Sequence, residues 1–164
     1  MFKIAVVCVS DRSSRGERKD LSGPLITEEL KGIAITTEYV CVPDEQSVIE
    51  KELIRLCQTD ISAVLTTGGT GFAPRDVTPE ATAAVAEKNA PGIAEAMRAK
   101  SLAFTDKAML SRAASVIRNN VLIINLPGSP KAVKECLSVI KDVLPHAFEL
   151  LKGKVADCGR PFEV

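Results

Sequence analysis

Residues 63–80, AVLTTGGTGFAPRDVTPE, constrain what this chain can fold into more than any other stretch. The apolar run from Ala63 to Thr66 predicts a buried strand. Gly68, Gly69 and Gly71 predict a sharp bend with no side chains in the way of a ligand. The pair Arg75-Asp76 follows, and then a helix start, with Thr78 as N-cap and Pro79 in the first helical position, where a missing N–H removes nothing. Successive N–H groups in such a bend form an anion-binding concavity at the end of a parallel strand. Asp76 then sets a carboxylate beside that anion, which is chemically sensible when a cation lies between them. Magnesium is the usual one. Arg75 can neutralise further phosphate charge.

Two familiar nucleotide templates fail on this loop. A Walker A motif needs a second glycine five residues after the first, and five residues beyond Gly68 stands Ala73. The dinucleotide fingerprint needs a third glycine where Pro74 stands. A tight strand-to-helix connection with a solvated Arg75-Asp76 pair is the plainer alternative.

Composition excludes several other classes. At 164 residues, one domain covering 1–164 is the expectation, with room for a substantial core. The 21 basic side chains are matched by 21 acidic ones, so no basic field suggests nucleic acid. The absence of Trp argues against a base-stacking platform. The N-terminal FKIAVVCV lacks the flanks of a signal peptide, and no apolar run is long enough to cross a bilayer, so a soluble cytoplasmic protein is expected. Cys8, Cys41, Cys57, Cys136 and Cys158 form no Cys-x-x-Cys pair and share the chain with one histidine, His146. Most of them read as small core hydrophobes, and a zinc or redox site is not expected.

Residues 2–10 predict a strand buried on both faces, ending in Ser10-Asp11-Arg12, and residues 13–20 predict a mobile charged loop. A helix is expected from Ser22 to about Leu30, broken at Gly32, then a strand from Ile33 to Val42. Gln46 to Gln58 predicts an amphipathic helix with Ile49, Leu53, Leu56 and Cys57 on one face. After Thr78 a helix is expected to about Lys88, and another from Ile93 to Phe104. Ser111–Arg118 and Val121–Leu126 read as two strands joined in a hairpin at Asn119-Asn120. Ser129 and Pro130 open a helix whose stripe is Val133, Leu137, Ile140, Leu144, Phe148 and Leu151, interrupted at Pro145. His146 lies in that stretch and reads as structural, which leaves a Ser-His-Asp triad without support. The tail after Gly153 is expected to be irregular. Strands alternating with helices predict a three-layer α/β/α sandwich with a mainly parallel sheet and at least one antiparallel strand.

Parallel strands bring their carboxyl ends to one edge, so the segments just after each strand converge there. The candidates are Ser10-Asp11-Arg12, Pro43-Asp44-Glu45, the loop Gly68, Gly69, Thr70, Gly71 to Asp76, and Pro127, Gly128, Ser129 to Lys131. Glycine turns, aspartates and basic groups together suit a polyphosphate bound with a divalent cation better than an acyl-transfer site. Each also has a plain reading: Asp11 pairing with Arg12, Asp44 starting a helix, Lys131 as a solvated first-turn residue.

These segments are where the chain resembles a known family. TTGGTGFAPRDVTPEAT at 66–82, VSDR at 9–12, DLSGP at 20–24, VPDEQ at 42–46, LSR at 110–112 and NLPGSPK at 125–131 resemble the MogA/MoaB family of molybdenum-cofactor proteins, related to the G domains of gephyrin and the plant Cnx proteins. The matches run in consistent order along nearly the whole chain. The resemblance implies molybdopterin adenylyltransferase activity: AMP from Mg-ATP attached to the terminal phosphate of molybdopterin, with release of pyrophosphate. It implies Asp44 and Asp76 as the catalytic acidic pair, Asp76 as a magnesium-linked carboxylate and Asp44 as a second metal or positioning acid. Backbone donors of Gly69 to Gly71 would hold nucleotide phosphates, Pro127 to Ser129 would line the nucleotide side, and Ser10, Asp11 and Ser22 would contact the pterin. A trimer or hexamer is implied, with the helix at 93–104 offering an interface, and a protein partner for molybdenum insertion. Within the family the chain looks closer to the MogA-like branch. Two alternatives keep the fold: a non-catalytic molybdopterin-binding scaffold, and a nucleotide pyrophosphatase related to the competence-damage proteins.

Overall fold

The computed structural model describes residues 1–153, so the tail expected to be irregular, with Cys158, lies outside the described residues. Six strands form one sheet in the order β2-β1-β3-β6-β5-β4: β1 Phe2–Val9, β2 Ala34–Val42, β3 Ala63–Thr67, β4 Lys88–Asn89, β5 Ser115–Arg118 and β6 Val121–Leu126. β2, β1, β3 and β6 run parallel, while β5 and β4 pair antiparallel. The helices are α1 Asp11–Ser14, α2 Ser22–Glu29, α3 Gln46–Leu56, α4 Thr78–Ala84, α5 Pro91–Ser101, α6 Pro130–Ile140 and α7 Leu144–Leu151, with a 3-10 turn at Asp106–Leu110.

The period of two along β1 explains the layers. Ile4 and Val6 face α2, α5, α6 and α7, where Ile26, Met97, Val133, Leu137 and Phe148 are buried. Ala5, Val7 and Val9 face α3 and α4, where Ile49, Leu53, Leu56 and Ala81 are buried. Both faces are covered, so β1 reads as a continuous apolar run. The result is the expected α/β/α sandwich with a mixed, mostly parallel sheet.

Several local expectations hold for physical reasons. Asn119 and Asn120 both take positive φ, 49° and 59°, which is the backbone of a two-residue hairpin whose twist matches its strands. Ser129 caps α6 by accepting from the N–H of Ala132, and Pro130 follows it. The apolar stripe continues from α6 into α7 across a break before Pro145. His146 is exposed on α7.

Others are corrected. Thr78 is not the N-cap of α4; Val77 holds that place. The Thr78 hydroxyl donates instead to the carbonyl of Gly68, 2.9 Å away, and Thr78 is fully buried. α4 ends at Ala84 rather than Lys88, because Lys88 and Asn89 pair with Ile117 and Val116 of β5. The charged loop after β1 begins as a helical turn, α1, capped by Ser10, whose Oγ accepts from the N–H of Ser13 at 3.2 Å. β5 starts at Ser115, four residues later than expected from Ser111.

From β1 the chain crosses to β2 on one side; from β3 it proceeds to the other side of the sheet. Adjacent parallel strands whose connections diverge leave a crevice at their carboxyl ends, the place where ligands bind in open α/β sheets. Val9 and Thr67 end on that crevice.

Candidate functional site

The sheet brings three of the expected loops into direct contact. Asp11 and Asp44 bond reciprocally: the N–H of Asp11 donates to Oδ2 of Asp44 at 2.7 Å, and the N–H of Asp44 donates to Oδ1 of Asp11 at 3.1 Å. Arg75 reaches across from the glycine loop and holds Asp11 with both Nε, at 2.6 Å, and Nη2, at 2.9 Å. Planar pairing of this kind is among the stronger charge-assisted contacts. Hydrogen bonding from Arg75 holds the Asp11 carboxyl below the usual carboxylate range. Asp44 moves the other way. Burial raises its pKa, outweighing the hydrogen bond from the Asp11 N–H, which lowers it; the charges of Asp11 and Asp76 push it up further and that of Arg75 pulls it down.

Glycine is required where the loop passes these groups. Gly68 has φ +101° and lies against the carbonyl of Val9, which a Cβ would strike. Gly69 has φ +64°; its Cβ would strike the Thr78 hydroxyl and lie 3.3 Å from Oδ1 of Asp44. A Cβ on Gly71 would come within 2.9 Å of Oδ2 of Asp76. The glycines thus keep the bend narrow enough for its backbone to run between the two acids.

The N–H of Gly68 is spent on the carbonyl of Leu126. Those of Gly69, Thr70, Gly71 and Phe72 have no partner among the described residues. Consecutive unpartnered backbone donors form an anion cradle. Asp76 closes the loop locally, its N–H on the carbonyl of Ala73 and its Oδ2 accepting from the N–H of Ala73 at 3.1 Å.

Beside this loop lies a cavity of 150 Å³ bounded by Val9, Ser10, Ser22, Gly68 and Gly128, with the exposed Arg18 and Lys19 at its rim. The Ser22 hydroxyl donates to the carbonyl of Gly128 at 2.9 Å, and Thr67 donates to the carbonyl of Pro127 at 2.7 Å, so the turn after β6 forms one wall. Ser129 spends its side chain on capping α6. Lys131 is exposed, with its ammonium 4.0 Å from Glu135, and does not line the cavity. Asp20 accepts from the N–H groups of Ser22 and Gly23 and from the Tyr39 hydroxyl, fixing the start of α2. Burial pushes the Cys8 thiol, on the cavity floor, up to about 12, so it stays protonated.

Sequence reasoning missed two residues that hold the site. Arg112 donates from Nε to the carbonyl of Gly71 at 2.7 Å and from Nη2 to that of Asp76 at 2.6 Å, and it pairs through Nη1 with Glu80. Asn125, fully buried in β6, donates to Thr66 at 3.0 Å and Thr82 at 2.8 Å and accepts from the N–H of Ala114. A polar residue inside the apolar run VLIINL was the available signal for Asn125. For Arg112 it was only an arginine in a matched motif.

The donor set fits a magnesium ion shared with a phosphate ligand. Arg75 is committed to Asp11, and among the described residues neither Asp44 nor Asp76 forms an ion pair with a basic side chain. No group of three or more His, Cys, Asp or Glu side chains able to hold a metal occurs among the described residues. Magnesium needs none, since it is commonly held by one or two carboxylates plus substrate phosphates.

Residues 5–146 match the family described as "Probable molybdopterin binding domain". The chain is 46% identical over 154 residues to a molybdopterin adenylyltransferase of Helicobacter pylori, covering 92% of this chain and 88% of that one. It is 44% identical over 169 residues to the molybdopterin adenylyltransferase of Escherichia coli K12, covering 93% of this chain and 86% of that one. Among solved structures it is similar to the molybdopterin biosynthesis enzyme MoaB of Thermus thermophilus, at 43% identity and a TM-score of 0.88, covering 96% of this chain and all of that one.

Proposed function

Since the chain belongs to the molybdopterin-binding-domain family, we propose that it is a molybdopterin adenylyltransferase acting in molybdenum-cofactor biosynthesis, with Mg-ATP as the adenylyl donor. One observation supports the reading above the others. Four unpartnered backbone N–H groups, Gly69 to Phe72, lie in a loop that passes Asp44 and Asp76 at the crevice between β1 and β3. A cradle for phosphate beside two acids that form no ion pair with a basic side chain among the described residues calls for a polyphosphate and a cation together.

In the reaction, a phosphate oxygen of molybdopterin attacks the α-phosphorus of ATP, and the bond to the pyrophosphate leaving group breaks. The attacking phosphate is already anionic at neutral pH and needs no strong base. The protein's contribution is alignment and electrostatic stabilisation. Backbone donors of Gly69 to Gly71 hold the leaving phosphates. Ser10, Ser22 and Gly128, in the turn after β6, bound the cavity that receives the pterin and nucleotide. Asp44 and Asp76 would hold the magnesium, which when bound offsets charge on the pyrophosphate. Asp11 orients Asp44 through their paired hydrogen bonds and keeps Arg75 in place.

The same reading takes the protein as cytoplasmic and oligomeric, a trimer or a pair of trimers. Cys8, Cys41, Cys57 and Cys136 are unpaired thiols, which suits a reducing compartment. No helix among the described residues is long and apolar enough to cross a membrane. Exposed Leu102, Phe104, Met109 and Leu110 supply apolar surface for subunit contact.

The test is calorimetric titration with molybdopterin and then Mg-ATP, with pyrophosphate release followed in parallel. Release should require the pterin, and Asp76→Ala should lower turnover about 100-fold or more while pterin affinity stays near normal. Near-normal turnover in Asp76→Ala would sink the assignment of that acid. Pterin binding without release would indicate a scaffold, and ATP cleavage without pterin a hydrolase.

A further inference from the structure

The carbonyls of Gly68, Gly69, Thr70 and Gly71 are all hydrogen-bonded, and only two residues supply the donors. Thr78 gives its hydroxyl to Gly68, at 2.9 Å, and its N–H to Gly69, at 3.1 Å. Arg112 gives its N–H to Thr70, at 2.9 Å, and its Nε to Gly71, at 2.7 Å. In a planar trans peptide the C=O and the following N–H point in opposite directions. No cis peptide occurs among the described residues. Pinning these carbonyls therefore turns the N–H groups of Gly69, Thr70, Gly71 and Phe72 the other way, and those are the unpartnered donors of the cradle.

We propose that Arg112 is the positioning residue that sets the anion cradle and couples it to Asp76. Its Nη2 donates to the carbonyl of Asp76 at 2.6 Å, and its Nη1 anchors on Glu80 of α4. One guanidinium thus spans the loop from Gly71 to Asp76 and ties both ends to α4 through Glu80. Only the five-donor planar fork of arginine serves these directions at once; a lysine brings a single nitrogen. Thr78 performs the companion task at the loop's start and makes no hydrogen bond to Asp76 among the described residues. The polyphosphate identity of the ligand rests on the adenylyl-transfer reading; the orientation of the peptides does not.

The experiment compares the full chain with Arg112→Ala, Arg112→Lys and Thr78→Val. It measures binding of magnesium pyrophosphate and of molybdopterin by calorimetry, turnover at saturating ATP, and the melting temperature. Arg112→Ala should weaken pyrophosphate binding about 10- to 100-fold, the worth of charge-assisted hydrogen bonds, while molybdopterin affinity stays within about threefold. Turnover should fall further, because Asp76 loses its anchor. Arg112→Lys should recover pyrophosphate binding in part. Thr78→Val should weaken pyrophosphate by about 2- to 10-fold, the worth of one neutral hydrogen bond, with a smaller effect on turnover than Arg112→Ala. Should Arg112→Ala fail to fold, Arg112→Lys decides. Unchanged pyrophosphate affinity in a folded Arg112 variant overturns the proposal. So does a parallel loss of both affinities that tracks a lower melting temperature, and so does a wild-type protein that binds no pyrophosphate. If the wild type binds pyrophosphate yet releases none from ATP and pterin, the functional reading fails while the binding arms still decide the role of Arg112.

Discussion

The loops after β1 and after β3 leave adjacent strands and meet over the same sheet edge, but they are secured differently. In the loop after β3, the carbonyls of Gly68 to Gly71 are held one by one by Thr78 and Arg112. The loop after β1 is tied mainly near its ends. Ser10 and Asp11 bond to Ser13, Asp44 and Arg75 at one end, and at the other Asp20 bonds to the start of α2 and to Tyr39. Between them Arg15 and Glu17 pair with each other in solvent, and Arg18 and Lys19 stand exposed at the cavity rim. The contrast reflects the kind of group each loop offers a ligand. Backbone donors work only if the peptide planes are fixed, so the phosphate cradle has to be pinned. Side-chain cations reach a ligand by rotamer, and their backbone can be left alone.

Two glycines put that contrast to its strongest test, because both occupy the left-handed region: Gly69 at φ +64° and Gly16 at φ +72°. A Cβ on Gly69 meets the Thr78 hydroxyl and approaches Asp44, whereas a Cβ on Gly16 has nothing within 4 Å. Gly69→Ala should therefore displace the cradle and lower turnover on the order of 100-fold, beyond the roughly 1 kcal/mol or more of left-handed backbone strain. Gly16→Ala should show only that strain, as a loss of about 1 kcal/mol in chemical denaturation with turnover unchanged. If the two variants lose turnover equally, the loops do not differ in the way described.

Asp11 and Asp44 join the loops and are shifted in opposite directions. Asp11 is lowered by hydrogen bonding from Arg75, so its contribution to stability is present above the ordinary aspartate value of 3.8 and is lost as pH falls through its native value. Asp44 is raised because burial outweighs the hydrogen bond it accepts from the Asp11 N–H, with the charges of Asp11 and Asp76 adding to the rise. A raised carboxyl favours the fold fully below 3.8, and that contribution is lost as pH rises through the native value. At pH 7 the wild type thus carries a charge that the fold disfavours. Asp44→Asn keeps the shape and an oxygen for the N–H of Asp11. It should melt above wild type at pH 7, with the difference shrinking as pH drops toward 3.8. Turnover should fall on the order of 100-fold in the same variant. A lower melting temperature at pH 7 would mean that the Asp44 charge is already compensated inside the protein.

What could be read from the sequence divides along the same line. Local signals announced the bend at Gly68 to Gly71, the Asn119-Asn120 turn, the Ser129-Pro130 helix start and the break before Pro145, because each depends on backbone preferences of neighbouring residues. The strand-end rule then brought Asp11, Asp44 and Asp76 to one edge. The donors that pin the cradle escaped it. Arg112 lies 41 positions from Gly71, and no spacing rule relates them; the chain passes through α4, β4, α5 and the 3-10 turn before Arg112 returns to the loop. Thr78 was placed one residue off because a capping threonine and a threonine reaching back to a loop carbonyl have the same local sequence. Lys131 was read as a candidate by its position after a glycine turn, yet the first turn of α6 carries it into solvent beside Glu135.

The smallest effect belongs to the side chains of the loop after β1. Arg18 and Lys19 line the cavity rim and form no ion pair among the described residues, whereas Arg75 and Arg112 are both committed to acids. Among the described residues that line the cavity they are therefore the cations left to meet the charge of an anionic substrate. Being exposed, they act through screened charge rather than fixed geometry. The double substitution Arg18→Ala with Lys19→Ala should weaken molybdopterin binding only about two- to fivefold at low salt. The difference from wild type should vanish near 0.5 M salt, where the screening length is down to about 4 Å. Arg112→Ala should behave oppositely, with its loss of pyrophosphate affinity persisting at high salt, because carbonyl hydrogen bonds within the fold are not screened in that way. Titrating both variants across one salt series separates the two kinds of contribution. A salt-independent loss in the Arg18/Lys19 variant would mean that this loop, too, holds its ligand by fixed geometry, and the contrast between the loops would be lost.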